Sequence, residues 1–246
     1  MVLMTNDNER LLSSYIDHSV LKINTTKKDI LNACDEALEY KFRSLVVHPC
    51  YAKLIIDKFR GSCILTAVVV DFPHGRGLTA TRENDVNALL DLGVDEIDLV
   101  SKYHLLFDNG SPENFKEFKD DISSIANIMN GKTLKIILEI DALNDTEINS
   151  AVLAIYSLVK ENDFKNLIIK TKTGFAENIK PNLNTVQAIY RFLNQVEFAD
   201  QIKIKASGGI KTKEDALDLI EAGASILGTS SGIAIISDKK DSCSAY

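Results

Sequence analysis

The chain has 246 residues, 45% hydrophobic and 26% charged, which suits one large domain with a substantial core and excludes collagen-like, disordered and disulfide-scaffold classes. Lys and Arg number 28 against 35 Asp and Glu, a formal charge of −7. That argues against non-specific nucleic-acid or anionic-membrane binding, which need a basic surface, but leaves room for a small anionic substrate held by a local positive cluster. Cys34, Cys50, Cys63 and Cys243 are scattered, with no C-x-x-C pair, as in reduced intracellular thiols. The start, Met1 to Arg10, is polar and shows no signal-peptide pattern. No apolar run approaches the ~20 residues of a membrane span. A cytoplasmic protein is expected.

In chain order, a short N-terminal helix leads into a predicted strand at Tyr15–Leu21, followed by a helical pattern at Lys27–Tyr40 behind Thr25 and Thr26. Strands follow at Ser44–His48 and Cys63–Asp71, then a helix at Ala80–Leu92 with Thr79 before it and Gly93 after it. The strand Glu96–Ser101 precedes a helix at Glu113–Met129, and the strand Lys135–Ile140 one at Thr146–Lys160, introduced by Asn144 and Asp145. Asn166–Thr171, Gln201–Ser207 and Ile226–Ser230 complete the strands. Helices at Leu183–Val196 and Lys213–Ala222 separate them, Gly223 marks a stop, and Gly232–Ile236 forms a short closing segment. The start and stop residues are those that satisfy helix-end backbone groups.

Eight strands alternating with crossover helices over this length imply a (β/α)8 TIM barrel in a single domain. The expected barrel runs from about residue 14 to 236, and residues 237–246 form a polar, mobile C-terminal tail. The other reading is an open doubly wound sheet, against which no G-x-G-x-x-G turn follows the first strand.

Parallel strands covered on both faces should be almost continuously apolar, and several here are not. Lys203 and Lys205 alternate with Ile202 and Ile204, Lys170 ends the sixth strand, Glu96 and Asp98 share a face, and so do Lys135 and Glu139. Period two sends such pairs to one side, here the barrel interior. Burying unpaired charge costs several kcal/mol, so a paired network is required. Lys170, Lys205 and Asp98 fall toward the strand carboxyl ends, where this fold places its active sites. Lys203 and Lys135 lie deeper and read as structural. Two neighbouring ammonium groups lower each other's proton affinity, and a neutral lysine can attack a carbonyl to form an imine. Asp98 would move protons, and neither metal nor organic cofactor is needed. The turns Thr173-Gly174 and Gly208-Gly209, with Gly228-Thr229-Ser230-Ser231, converge on the same end and suit an anion.

Together, the segments Tyr15-Ile16-Asp17-His18, Phe72-Pro73-His74-Gly75, Asp95-Glu96-Ile97-Asp98, Leu138-Glu139, Lys170-Thr171-Lys172-Thr173-Gly174-Phe175, Lys205-Ala206-Ser207-Gly208-Gly209 and Gly228-Thr229-Ser230-Ser231 resemble the deoxyribose-phosphate aldolase family. The resemblance runs in family order from about residue 11 to 232. It implies a class I aldolase, reversibly cleaving 2-deoxy-D-ribose 5-phosphate to acetaldehyde and D-glyceraldehyde 3-phosphate in deoxyribonucleotide catabolism. By the same resemblance, Lys170 is the Schiff-base lysine, Lys205 lowers its pKa, and Asp98 works with a water in proton transfer. Thr173, Gly174, Gly208, Gly209, Gly228, Ser230 and Ser231 fall in phosphate-binding segments, and Tyr246 matches a terminal tyrosine that assists proton abstraction in some members. A homodimer would fit the family.

Two departures stand out: Lys172 replaces a serine of the family pattern Lys-Thr-Ser-Thr-Gly, and Val46 occupies a place where many relatives carry cysteine. Lys172 is expected at the rim, either adding positive charge or simply solvated. His18, His48, His74 and His104 raise a metal-dependent lyase as an alternative, but no His-x-His pair exists. A non-catalytic phosphosugar-binding barrel and a Schiff-base barrel for a related phosphosugar complete the alternatives.

Overall fold

A computed structural model describes residues 11–176, 182–198 and 200–237. Its eight parallel strands close on themselves in chain order: β1 (Ile16–Ser19), β2 (Ser44–Val47), β3 (Leu65–Val70), β4 (Glu96–Val100), β5 (Thr133–Ile137), β6 (Leu167–Lys170), β7 (Lys203–Ser207) and β8 (Ile226–Thr229). A helix follows each strand: α1 (Lys27–Tyr40), α2 (Ala52–Phe59), α3 (Thr79–Leu92), α4 (Pro112–Ile128), α5 (Asp145–Asn162), α6 (Leu183–Gln195), α7 (Lys213–Glu221) and α8 (Gly232–Ser237). This is the (β/α)8 barrel expected from the alternation. Its predicted N-terminal helix is a single 3-10 turn at Leu12–Tyr15, and the predicted tail, residues 237–246, lies outside the described residues beyond Ser237.

Local chemistry sets several helix starts. Thr26, Asn144 and Thr212 each form a capping box with Asp29, Glu147 and Asp215, satisfying two orphan donors apiece. Thr79 differs from expectation. It lies inside α3, and the hydroxyl donates to Asp121 Oδ1 at 2.7 Å and accepts from Lys102 Nζ at 2.9 Å. A buried ion cluster thus recruits it away from the helix end. Gly223 is required by contact as well as by its φ of 108°, because a Cβ there would come 2.2 Å from the Tyr190 ring.

The apolar core is in two parts. The larger lies between strands and helices and includes Ile16, Leu45, Val47, Val68, Val70, Ile97, Leu99, Ile136, Ile169, Ile204 and Leu227. Alternation along each strand sends these residues outward. The smaller part is Val46, Ala67 and Val69, with Leu21 and Phe72 against them, and it fills only the β2–β3 side of the lumen. Much of the rest of the lumen is charged, with Ile168 and Ile226 sharing the inward faces of β6 and β8.

Two predicted inward groups differ in the structure. Lys203 is exposed at the first position of β7, where the strand begins at the barrel's amino end. Glu139 is not on β5, which ends at Ile137; its φ of 56° turns the chain out of the strand.

Candidate active site

Strand register brings the predicted lysines together. Lys170 on β6 pairs directly with Lys205 on β7, and Asp98 on β4 with Lys135 on β5. Asp17 on β1 lies beside Gly228 on β8. Lys170, Lys205, Lys135, Asp98, Asp17 and Glu96 are all at most 4% exposed.

One network joins them. Asp98 Oδ2 accepts from Lys170 Nζ and from Lys205 Nζ, both at 2.8 Å, while its Oδ1 accepts from Lys135 Nζ at 2.9 Å. Lys205 Nζ also lies 2.6 Å from Asp17 Oδ2. Lys135 reaches three carboxylates: Glu96 at 2.6 Å, Asp98 at 2.9 Å and Asp17 at 3.1 Å. Arg43 closes the lower end, donating through Nη1 to Asp17 Oδ1 at 2.7 Å and Glu96 Oε2 at 2.8 Å, and through Nη2 to Glu96 Oε1.

Fully ionised, this network sets four cations, Arg43, Lys135, Lys170 and Lys205, against three carboxylates, Asp17, Glu96 and Asp98. The surplus is one positive charge in a buried site, and its cheapest relief is loss of one proton. Lys170 is the group that gives way. Burial, above all, lowers its pKa to about 8; Asp98 opposes this, and the Lys205 and Lys135 ammonium groups add to it. Desolvation is therefore the leading cause, ahead of the neighbouring lysine that sequence reasoning made responsible. Lys135 goes the other way: burial would lower it, but Asp17, Asp98 and Glu96 together hold it above the ordinary lysine value. Burial likewise pushes Asp98 up, and Lys135, Lys170 and Lys205 outweigh it, holding the carboxyl far below the usual range.

The apolar wall supplies part of this burial. The Phe72 ring centre lies 5.9 Å from Lys170 Nζ and packs edge-on against Phe175 at 5.2 Å. Phe72 is carried by a tight loop in which Gly75, with φ 63°, comes so close to β4 that a Cβ would sit 2.1 Å from the Ser101 carbonyl oxygen. Val46, where many relatives were expected to carry a thiol, lines the same wall. Cys50 is exposed in the turn after β2.

The expected anion-binding residues spread over the β6, β7 and β8 ends. Gly174, Gly208 and Gly209 all have positive φ, and a Cβ on Gly174 would come 3.5 Å from the Gly208 Cα, so the two turns face each other. Ser230 is exposed and Ser231 half-buried, its N–H donating to Thr229 Oγ1 at 2.9 Å. Gly228 lies within β8 and has a second use: a Cβ there would sit 2.8 Å from Lys205 Cε. Thr173 gives its N–H, at 3.2 Å, and its hydroxyl to Glu139 Oε2. Tyr246 lies outside the described residues.

Lys172 is not a solvated rim lysine. It is fully buried, with Nζ 3.0 Å from Asp141 Oδ1. A carboxylate from the loop after β5 meets it there. Two of the four histidines have partners in the described structure. His18 stacks on Phe42 and lies 3.3 Å from Glu36, while His48 Nε2 is 3.1 Å from the Leu21 carbonyl oxygen. Sequence reasoning assigned no role to Asp17 or Arg43. Asp17, the one carboxylate of β1, carried a usable signal. Arg43 carried none, since it precedes β2 outside any periodic pattern.

Such a site can form an imine on Lys170 and pass protons along Asp98, Lys205 and Asp17. The family profile described as DeoC/LacD family aldolase matches residues 11–238. The chain is similar to the deoxyribose-phosphate aldolase of Caldicellulosiruptor saccharolyticus, 37% identical over 229 residues, covering 92% of this chain and 97% of that one. It is also similar to the deoxyribose-phosphate aldolase of Clostridium novyi, 35% identical over 244 residues, covering 96% and 99%. Among solved structures, the aldolase QR15 superposes with a TM-score of 0.80 at 29% identity, covering 92% of this chain and 95% of that one. A deoxyribose phosphate aldolase from Aeropyrum pernix, described as tetrameric, gives 0.78 at 27% identity, covering 94% and 91%.

Proposed function

The chain belongs to the DeoC/LacD family of aldolases, and from that premise we propose that it is a deoxyribose-phosphate aldolase. It cleaves 2-deoxy-D-ribose 5-phosphate reversibly to acetaldehyde and D-glyceraldehyde 3-phosphate through a Schiff base on Lys170. The observation that carries this reading is the buried network with one surplus positive charge, whose easiest proton to lose is on Lys170.

Neutral Lys170 attacks the C1 carbonyl of the open-chain sugar, and the carbinolamine loses water to give an iminium. Removal of the proton from the C3 hydroxyl sends electrons through the C2–C3 bond into the iminium, releasing D-glyceraldehyde 3-phosphate and leaving an enamine on Lys170. Protonation at C2 and hydrolysis then free acetaldehyde. Asp98, 2.8 Å from both lysine nitrogens, is placed to move protons with a water. Lys205 bridges Asp98 and Asp17 and can return a proton from one to the other. The substrate phosphate lies in the turns of Thr173-Gly174 and Gly208-Gly209, with Ser230 and Ser231 closing it. Tyr246 assists proton abstraction in this reading.

One catalytic domain, about residues 14–236, carries the reaction. Among the described residues no helix is long and apolar enough to cross a membrane. A cytoplasmic homodimer acting in deoxyribonucleotide catabolism completes the proposal. Borohydride trapping with acetaldehyde, followed by peptide mass spectrometry, tests it. An ethyl adduct on Lys170, absent without acetaldehyde and lost in Lys170→Leu, is expected. An adduct on Lys205 or Lys172 would reassign the roles, and no adduct on folded protein would refute the imine mechanism.

A further inference from the structure

The loop after β5 grips the loop after β6 at two successive points. Glu139 Oε2 takes the N–H and hydroxyl of Thr173, and Asp141 Oδ1 takes the ammonium of Lys172. Glu139 reaches its partner from a left-handed backbone, φ 56°, a conformation that costs energy in a non-glycine residue and persists when its surroundings over-determine it. The Lys172 stem then forms the floor beneath the next turn. A Cβ on Gly208 would come 3.0 Å from Lys172 Cε, 3.2 Å from Cδ and 3.2 Å from Cγ, so the bare Gly208 backbone rests directly on the stem. The Lys172 carbonyl oxygen accepts from Ser207 Oγ at 2.6 Å, and a Cβ on Gly174 would lie 3.5 Å from the Gly208 Cα. The loops after β5, β6 and β7 are thus joined through one lysine.

We infer that Lys172 and Asp141 are positioning residues that set the spacing of the Gly174 and Gly208 turns, and so the selectivity for a phosphorylated over an unphosphorylated sugar. This rests on the proposed function, in which those turns hold the substrate phosphate. Lys172 does not act as a rim charge on the substrate, because its side chain is fully buried and its ammonium lies against Asp141. Nor does it set the position of Lys170. That residue is held within the barrel by its register with Ile137 and Lys205, one residue before the strand gives way to the loop.

The test compares 2-deoxyribose 5-phosphate with 2-deoxyribose in the native protein, Lys172→Ser, Lys172→Met and Asp141→Asn. Lys172→Ser removes floor and charge together; it should raise KM for the phosphorylated sugar about tenfold with kcat within about twofold. Its kcat/KM for 2-deoxyribose and the pH midpoint of its rising limb should stay where they are. Lys172→Met keeps a stem of similar length and should restore most of the lost affinity, which also separates the inference from simple misfolding of the serine variant. Asp141→Asn should move KM in the same direction as Lys172→Ser. An unchanged KM in Lys172→Ser overturns the inference. So does an equal loss on both sugars, which would make the residue merely structural, and so does a shifted pH midpoint, which would make it an electrostatic partner of Lys170. A native protein that cleaves both sugars equally well would instead refute the phosphate role of the turns, and one that cleaves neither would refute the proposed reaction.

Discussion

Lys170 differs from the other buried lysines in what surrounds it. Lys135 touches three carboxylates and stays charged; Lys170 has Asp98 on one side and the Phe72 ring on the other. Its folded pKa of about 8, against an ordinary 10.5, makes the neutral amine available near neutral pH. Because the neutral form attacks, kcat/KM should rise with pH through a limb centred near 8. Lys205→Met removes a like charge and leaves Asp98 more fully to Lys170. Both changes favour the ammonium, so the limb should move toward 10.5, while kcat falls about 10²-fold or more through loss of the proton route. A pH–rate profile of the variant checks this, and an unmoved limb would show that burial alone sets the value. The lysines and Asp98 could be read from the sequence because charge in a buried strand is conspicuous. The dominance of burial could not, since the Phe72 and Phe175 pair forms only when two loops meet.

At the scale of elements, β7 and β8 show how a strand makes room for its neighbour's chemistry. Ser207 pairs with Gly228, and the missing side chain on β8 leaves space for the Lys205 stem. In Gly228→Ala the new methyl would approach Lys205 Cε at 2.8 Å and Ser207 Cβ at 2.9 Å. The flexible lysine end yields more easily than the strand, so its bonds to Asp17 and Asp98 should break first. The expected result is a fall in kcat of about tenfold or more with a change in thermal midpoint of only a few degrees. Kinetics and a melting curve on the same preparation measure both. Sequence reasoning read Gly228 as part of an anion-binding turn; its place within β8, facing Lys205, appears only with register. Strand ends were similarly half legible. Apolar periodicity carried the fifth strand on to Ile140, but Glu139 turns out of it with a positive φ, and no residue pattern announces that turn.

Across the whole molecule, the lumen is divided. An aliphatic wall of Val46, Ala67 and Val69 faces a network of Asp17, Arg43, Glu96, Asp98, Lys135, Lys170 and Lys205. That network ties the strands together electrostatically and should make the fold acid-sensitive. Asp17 and Asp98 are held below the ordinary 3.8 in the folded chain: burial opposes ionisation, but the surrounding lysines outweigh it, with Arg43 adding to the effect at Asp17. Their stabilisation is fully present above the unfolded value and is lost as pH falls toward the folded ones, where the unfolded chain binds more protons. Urea denaturation should therefore show stability dropping steeply below about pH 4, with a shallower slope in Asp98→Asn. An equal slope in that variant would exclude Asp98 as a source. The sequence by itself determined the number and order of the strands and most of the helices between them, because periodicity and helix-end chemistry are local. Alternation, a property of the strand alone, also marked Asp98, Lys135, Lys170 and Lys205 as charged and inward, but it misplaced Lys203 and Glu139. Tertiary structure decided which charges meet, that Arg43 and Asp17 complete the network, and that Lys172 is a buried strut against Asp141. Those facts depend on barrel closure and register, which bring residues far apart in the chain within hydrogen-bonding distance.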